Sequence, residues 1–255
     1  MKDDITVLPN APDNTHTEIL RATFRVLCER GYTGVTISRI AARTDVAKSV
    51  VYYHYEDKDD IIQTLLDQVL AELLSEYFRD SDDDPARRLE NFFGFVFAVA
   101  GGEIHPEENT AGTGECDDTH LGTEETTMCI DSETNANEDI VSSPSDTAKK
   151  EFKHCVGAHS QAYVELRAQA AHDEVFRKTI TANERKLREE LRACVDAGVA
   201  TGAFDIDNAD HTTEFLLTLI EGAIFRGATT GKINTAALAD MLERKLGITV
   251  HQDDL

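Results

Sequence analysis

The stretch Gly34-Val35-Thr36-Ile37-Ser38-Arg39-Ile40-Ala41-Ala42-Arg43-Thr44-Asp45-Val46-Ala47-Lys48-Ser49-Val50-Val51-Tyr52-Tyr53-His54-Tyr55 decides the reading of this chain. Thr36 has the side chain of an N-cap, whose oxygen accepts from a backbone N–H of the first turn. Behind it, Ile37, Ile40 and Ala41 form the buried stripe of a short helix. Asp45-Val46 makes a tight turn, and another short helix is expected from about Ala47 to Tyr55. Upstream, Thr15-His16-Thr17-Glu18 has the capping-box spacing. Ile19, Ala22, Thr23, Val26 and Leu27 then recur on one helical face, and Gly31 ends that helix as a C′ glycine does. Two short helices joined by a tight turn, with a third packed behind, make a helix-turn-helix unit. In such a unit the second helix enters the DNA major groove and the first crosses the backbone.

The local charge agrees with this and the global charge does not. From Arg21 to Tyr55 there are six basic residues (Arg21, Arg25, Arg30, Arg39, Arg43, Lys48) and two acids (Glu29, Asp45), a local charge of +4. The whole chain of 255 residues carries −23, which repels phosphate and excludes a generally sticky nucleic-acid binder. Lysine is scarce, with 10 Lys against 15 Arg, and acids are spread widely. A large acidic load keeps a protein soluble where molar salt screens charges over about 3 Å, so the expectation is a salt-rich cytoplasm. The composition also excludes collagen-like, rod-like and disulfide-scaffold classes. No stretch approaches the ~18 apolar residues of a membrane span, and Met1 to Asn14 holds no apolar signal core. The five cysteines are odd in number and hold no Cys-x-x-Cys pair, as expected of reduced cytosolic thiols.

Outward from the motif the pattern stays helical. Asp57 caps a long helix carrying Ile61, Leu65, Leu66, Val69, Leu73 and Tyr77. Asp84-Pro85 opens another through Phe92, Phe93, Val96 and Phe97 to Gly101-Gly102. Further helices are expected over 148–171, from Asp173 to about Gly198, from Asp207 to about Gly227, and up to Gly247. No segment alternates as a strand does, so the fold class is all-α. Residues 1–14 read as a disordered tail, 15–57 as the helix-turn-helix domain and 58–255 as a helical effector-binding and dimerisation domain. Within the latter, 101–148 holds 13 Asp/Glu and no Lys or Arg. High net charge with little apolar content is the disorder signature, so this segment is expected as a disordered insertion.

The set Ile19-x-x-Ala22, Arg30-Gly31-Tyr32, Thr36, Ile40-Ala41, Val46-x-Lys48-x-x-Val51-Tyr52-x-His54-Tyr55 and Lys58 resembles the tetracycline-repressor (TetR) family of transcription regulators. The resemblance covers about residues 15–75; beyond residue 80 it extends only to a helical, divergent ligand-binding and dimerisation domain. It implies that Thr36 and Ser38 touch phosphate at the start of the first short helix, with Arg39 and Arg43 adding phosphate or base contacts. Lys48, Ser49 and Val50 would face base edges, where lysine donates to guanine and valine meets a thymine methyl. Tyr52, Tyr53 and His54 would lie on the backbone, and Lys58 would bind phosphate. Two positions depart from the family pattern. Asp45 stands where the turn usually has glycine, and Ala47 where a serine commonly caps the recognition helix.

The resemblance further implies a homodimeric repressor reading a palindromic operator, with an unknown small-molecule effector bound in the C-terminal domain. Candidate pocket residues are Phe92, Phe95, His159, Tyr163, Arg167 and Phe176. The expected dimer interface is a four-helix bundle of segments 174–198 and 207–228, two from each subunit. No enzyme signature, cofactor motif or compact metal motif occurs, so no catalytic role, cofactor or metal is expected. His105, Cys116, His120, Cys129, His154 and Cys155 are the residues from which a metal- or thiol-responsive regulator would be assembled. The remaining alternative is an interaction protein that recruits a partner through the acidic segment rather than binding DNA.

Overall fold

The computed structural model of the protein describes residues 7, 8, 10–12, 14–79, 84–101, 156–231 and 233–250. Every regular element among them is helical. In chain order they are α1 (Thr15–Gly34), α2 (Ile37–Ala41), α3 (Lys48–His54), α4 (Lys58–Leu74), α5 (Pro85–Gly101), α6 (Val156–Ala170), α7 (Glu174–Thr201), α8 (Ala209–Thr230) and α9 (Thr235–Leu246). A π-helical turn, Ser75–Arg79, extends α4 and places Phe78 5.0 Å from Phe92.

Side-chain caps set most of the starts. Asp57 accepts from the Asp59 and Asp60 N–H groups at 2.8 and 3.0 Å, Asp84 from Ala86 and Arg87 at 2.9 and 3.0 Å, and Asp173 from Val175 and Phe176 at 2.7 and 3.2 Å. Two starts differ by one residue from the sequence reading. Asn14, not Thr15, caps α1 through the Thr17 N–H at 2.9 Å. Asn208, not Asp207, caps α8 through the His211 N–H at 3.0 Å. In both cases an Asx side chain stands next to the expected residue, and capping geometry alone selects between neighbours.

The ends differ more. α7 runs past Gly198 to a left-handed cap at Gly202, and α8 runs past Gly227 to one at Gly231. The two inner glycines serve packing instead. The Phe204 ring lies where a Gly198 side chain would be, and the Ala100 carbonyl lies where one on Gly227 would be.

Two apolar clusters organise the chain. The first gathers Ile19, Leu20, Val26, Leu27, Ile40, Val51, Tyr55, Ile61, Ile62 and Leu65 around the helix-turn-helix. The second gathers Leu89, Phe92, Phe93, Phe97, Leu191, Val195, Leu216 and Ile220 where α5, α7 and α8 meet. Burial of each such side chain contributes about 1.5–3 kcal/mol. α6 joins the two regions: it packs on α1 as well as on α5, α7 and α8, and its Ala162 and Leu166 belong to the first cluster.

The expected disordered tail over 1–14 needs correction in its described part. Val7 and Leu8 are buried. The Arg21 guanidinium holds this segment by donating to the carbonyls of Val7 at 3.2 Å, Leu8 at 2.8 Å and Ala11 at 3.4 Å. Two apolar residues in a polar stretch are too weak a pattern for a sequence reading; the chelating arginine is a tertiary feature. The acidic segment from residue 102 onward lies outside the described residues.

Candidate DNA-binding interface

The unit is held together by bonds that cross it. Thr36 caps α2, its Oγ1 accepting from the Arg39 N–H at 3.3 Å. Ala47 occupies the N-cap of α3 and provides no side-chain cap, as its methyl group dictates. Asp45 makes its turn without the left-handed backbone expected where glycine is usual; among the described residues only Leu8 and four glycines have positive φ. The Asp45 N–H instead donates to Glu18 Oε1 at 3.0 Å, tying the turn to the first turn of α1.

On α3, Val51 and Tyr55 face inward, at 0% and 4% exposure. Their spacing of four residues is one helical face, so the positions between them project outward. Tyr52 and Tyr53 are 58% and 86% exposed, large aromatic areas left open by the described residues. Lys48, Ser49 and His54 are exposed on the same helix, and Val50 is half-buried beside them. Thr36, Ser38, Arg39 and Arg43 are exposed on and just after α2. The His54 ring stands 5.3 Å from that of Tyr53 and 6.4 Å from that of His16. Burial, and then the neighbouring His54, lowers the pKa of His16. Lys58 is half-buried, with its Nζ 3.9 Å from the centre of the Tyr32 ring. The Tyr32 hydroxyl donates to Asp59 Oδ1 at 2.9 Å, and burial together with that carboxylate pushes its pKa up to about 12.

The local charge of +4 therefore overstates what faces outward. Arg21 is turned to the N-terminal carbonyls, Arg39 donates to the Gly34 carbonyl at 2.7 Å, and Arg43 is paired with Glu29 across 14 residues. Lys48 is the cation that α3 itself presents. Glu18, Glu29 and Arg21 belong to this unit, and sequence reasoning missed their roles because each partner lies ten or more residues away.

The six candidate effector residues have different neighbours among the described residues. Phe92 and Phe95 lie with Tyr77 in the second core cluster. His159 stacks on Phe24 of α1 at 4.7 Å, and burial lowers its pKa to about 4. Phe176 meets the Tyr32 ring edge-on at 5.6 Å. Tyr163 and Arg167 form a separate polar group. Arg167 donates to the Tyr163 hydroxyl at 2.8 Å and pairs with Glu221 at 2.6 Å and Glu184 at 3.5 Å. Burial raises the pKa of Glu221 against the opposing pull of Arg167. His105, Cys116, His120, Cys129, His154 and Cys155 lie outside the described residues; among the described ones no three potential ligands cluster. Burial pushes the Cys194 thiol up to about 11, which keeps it protonated. No helix among the described residues is long and apolar enough to cross a membrane.

This arrangement of α1 to α4 matches, over residues 19–65, the model of the bacterial regulatory proteins of the tetR family. Residues 156–249 match that of the BetI-type transcriptional repressor C-terminal domain. The chain belongs to the TetR family. Among TetR-family relatives, the HTH-type transcriptional regulator BetI of Stenotrophomonas maltophilia is 31% identical over 75 residues, which is 28% of this chain and 38% of that protein. The HTH-type transcriptional repressor DhaR of a Mycobacterium species is 30% identical over 82 residues, 31% of this chain and 41% of that protein. The chain thus aligns with about two-fifths of the length of these relatives. Among solved structures, a TetR transcription regulator from Haloarcula marismortui superposes with a TM-score of 0.58 at 25% identity, covering 90% of this chain and 94% of that one.

Proposed function

We propose that the chain is a sequence-specific DNA-binding transcriptional repressor that acts in the cytoplasm as a homodimer on a palindromic operator and is released by a small-molecule effector. One observation carries the DNA-binding part. A short helix anchored inward by Val51 and Tyr55 presents Lys48, Ser49, Tyr52 and Tyr53 together on its outer side. Two tyrosines so exposed present most of their aromatic surface outward from the described residues. Beside a lysine they suit phosphate and base-edge contacts in a major groove. Gel shift on the DNA upstream of the chain's own coding region tests this. Binding is expected for the wild type, with strong weakening in Lys48→Ala and Tyr52→Ala; full binding by both variants removes the recognition-helix reading.

The dimer part rests on α8. Phe215 and Phe225 are 38% and 56% exposed and flank Gly222, whose α-carbon faces open space. An aromatic pair around a glycine on one outer helical face is an apolar patch that a second copy would cover. α7 and α8 of the two subunits would form the four-helix bundle. Phe225→Glu is expected to yield monomers by light scattering, while an unchanged dimer would exclude this face.

An effector entering between α6, α7 and α8, beside Tyr163 and Arg167, would act by binding one of two conformations better than the other. The global charge of −23 supports a protein adapted to molar salt. Loss of helical circular dichroism on dialysis into low salt is expected; indifference to salt would count against that adaptation.

A further inference from the structure

We propose that Glu165 is a positioning residue for DNA recognition, a latch by which α6 of the C-terminal domain fixes the angle of the helix-turn-helix unit. The inference rests on the DNA-binding reading above. Its geometric basis is a contact between residues 133 apart in sequence: Glu165 Oε2 accepts the backbone N–H of Tyr32 at 2.6 Å. A carboxylate receiving a backbone N–H makes a short, charge-assisted bond, about twice as strong as a neutral one.

The point of attachment gives this bond leverage. Gly31 has φ 64° and ψ 177°, a backbone region essentially reserved for glycine, and it breaks α1 into a long arm and a last turn. A β-carbon at Gly31 would stand 2.6 and 2.8 Å from the two Glu165 oxygens, so the glycine serves both the bend and the close approach of the carboxylate. The chain leaving this bend runs through Val35 and Thr36 directly into α2. Rotation at Gly31-Tyr32 therefore swings α2 and α3 relative to α1.

Tyr32 is also held at its other end. Its ring meets Phe176 of α7, its hydroxyl bonds Asp59 of α4, and Lys58 lies over its face. Two residues beyond Glu165, Arg167 is fastened to Glu184 of α7 and Glu221 of α8. Movement among α7, α8 and the Tyr163–Arg167 group thus reaches the Tyr32 N–H along one rigid helix of 15 residues.

The test separates orientation from simple stapling. The wild-type protein first selects its preferred sites from a randomised duplex DNA library. Affinity is then measured on the selected site and on versions with one or two base pairs added or removed between the half-sites. Glu165→Asp keeps the charge but shortens the reach, Glu165→Ala removes the acceptor, and Glu165→Gln keeps an acceptor oxygen at the same reach. Wild type and Glu165→Gln are expected to discriminate sharply between spacings. Glu165→Asp and Glu165→Ala are expected to bind the selected site about tenfold more weakly, with spacing preferences reduced to within about twofold. Wild-type spacing preference in Glu165→Asp or Glu165→Ala, at whatever overall affinity, overturns the latch alone. No enriched sequence for the wild type overturns the DNA-binding reading, and the latch with it.

Discussion

Gly227 of α8 lies against the carbonyl of Ala100, the penultimate residue of α5, so closely that a β-carbon at 227 would overlap that oxygen. A backbone atom cannot rotate away as a side chain does. Gly227→Ala is therefore expected to push α5 and α8 apart and to destabilise the protein by roughly 3 kcal/mol. Thermal melting followed by circular dichroism checks this. The neighbouring Gly222, which faces open space, provides the control: Gly222→Ala should leave the monomer's own packing intact.

On α3, exposure separates the residues proposed for binding from those that pack inward. Tyr53→Ala, at a position 86% exposed, is expected to weaken DNA binding without lowering the melting temperature. Tyr55→Ala, at a position 4% exposed, is expected to cost about 3–5 kcal/mol of stability. Equal loss of stability in both variants would contradict the inward and outward assignment.

Engagement of Arg21, Arg39 and Arg43 with the protein itself leaves few cations to displace counterions from DNA. Binding affinity is expected to fall with salt along a shallow line, with a log–log slope no steeper than about −5 for the proposed dimer. Glu29→Gln releases Arg43 and should steepen that slope by about 0.9 for each subunit. Affinity measured across a salt series with the two proteins side by side decides the matter.

His159 makes stability depend on pH. Its pKa is lowered from 6.5 to about 4 by burial against Phe24, so the unfolded chain takes up a proton that the folded chain refuses. The native state is therefore favoured above the unfolded value of 6.5, and this advantage is lost as pH falls toward 4. Between pH 7 and pH 5 the loss from this residue is about 2 kcal/mol. His159→Phe keeps the stack on Phe24 without titrating. Its unfolding free energy, measured in denaturant, should fall less than that of the wild type by that amount over the same interval.

The elements were legible in sequence because their signals are local. Caps at Thr36, Asp57, Asp84 and Asp173 bond within three residues, and the stripe Ile19, Ala22, Thr23, Val26, Leu27 is one face of one helix. The inner glycines misled for the same reason. Gly198 and Gly227 look locally like helix ends, but their role is to admit Phe204 and the Ala100 carbonyl, which no pattern on α7 or α8 announces. Helical periodicity tells which side of a helix is apolar and not which helix it meets, so the neighbours of the effector candidates were not legible in sequence. Phe92 packs in the cluster of α5, α7 and α8, and His159 stacks on Phe24 of α1.

By itself, then, the sequence determined that the chain is all-helical, that residues 34–55 form a helix-turn-helix, and which family the N-terminal unit resembles. All of these follow from spacings shorter than a few helical turns. Tertiary structure decided which arginines face outward, that Val7 and Leu8 are buried, and that Glu165 closes on the Tyr32 N–H. These depend on contacts between residues brought together only when α1 packs on α4 and α6, so no local pattern encodes them.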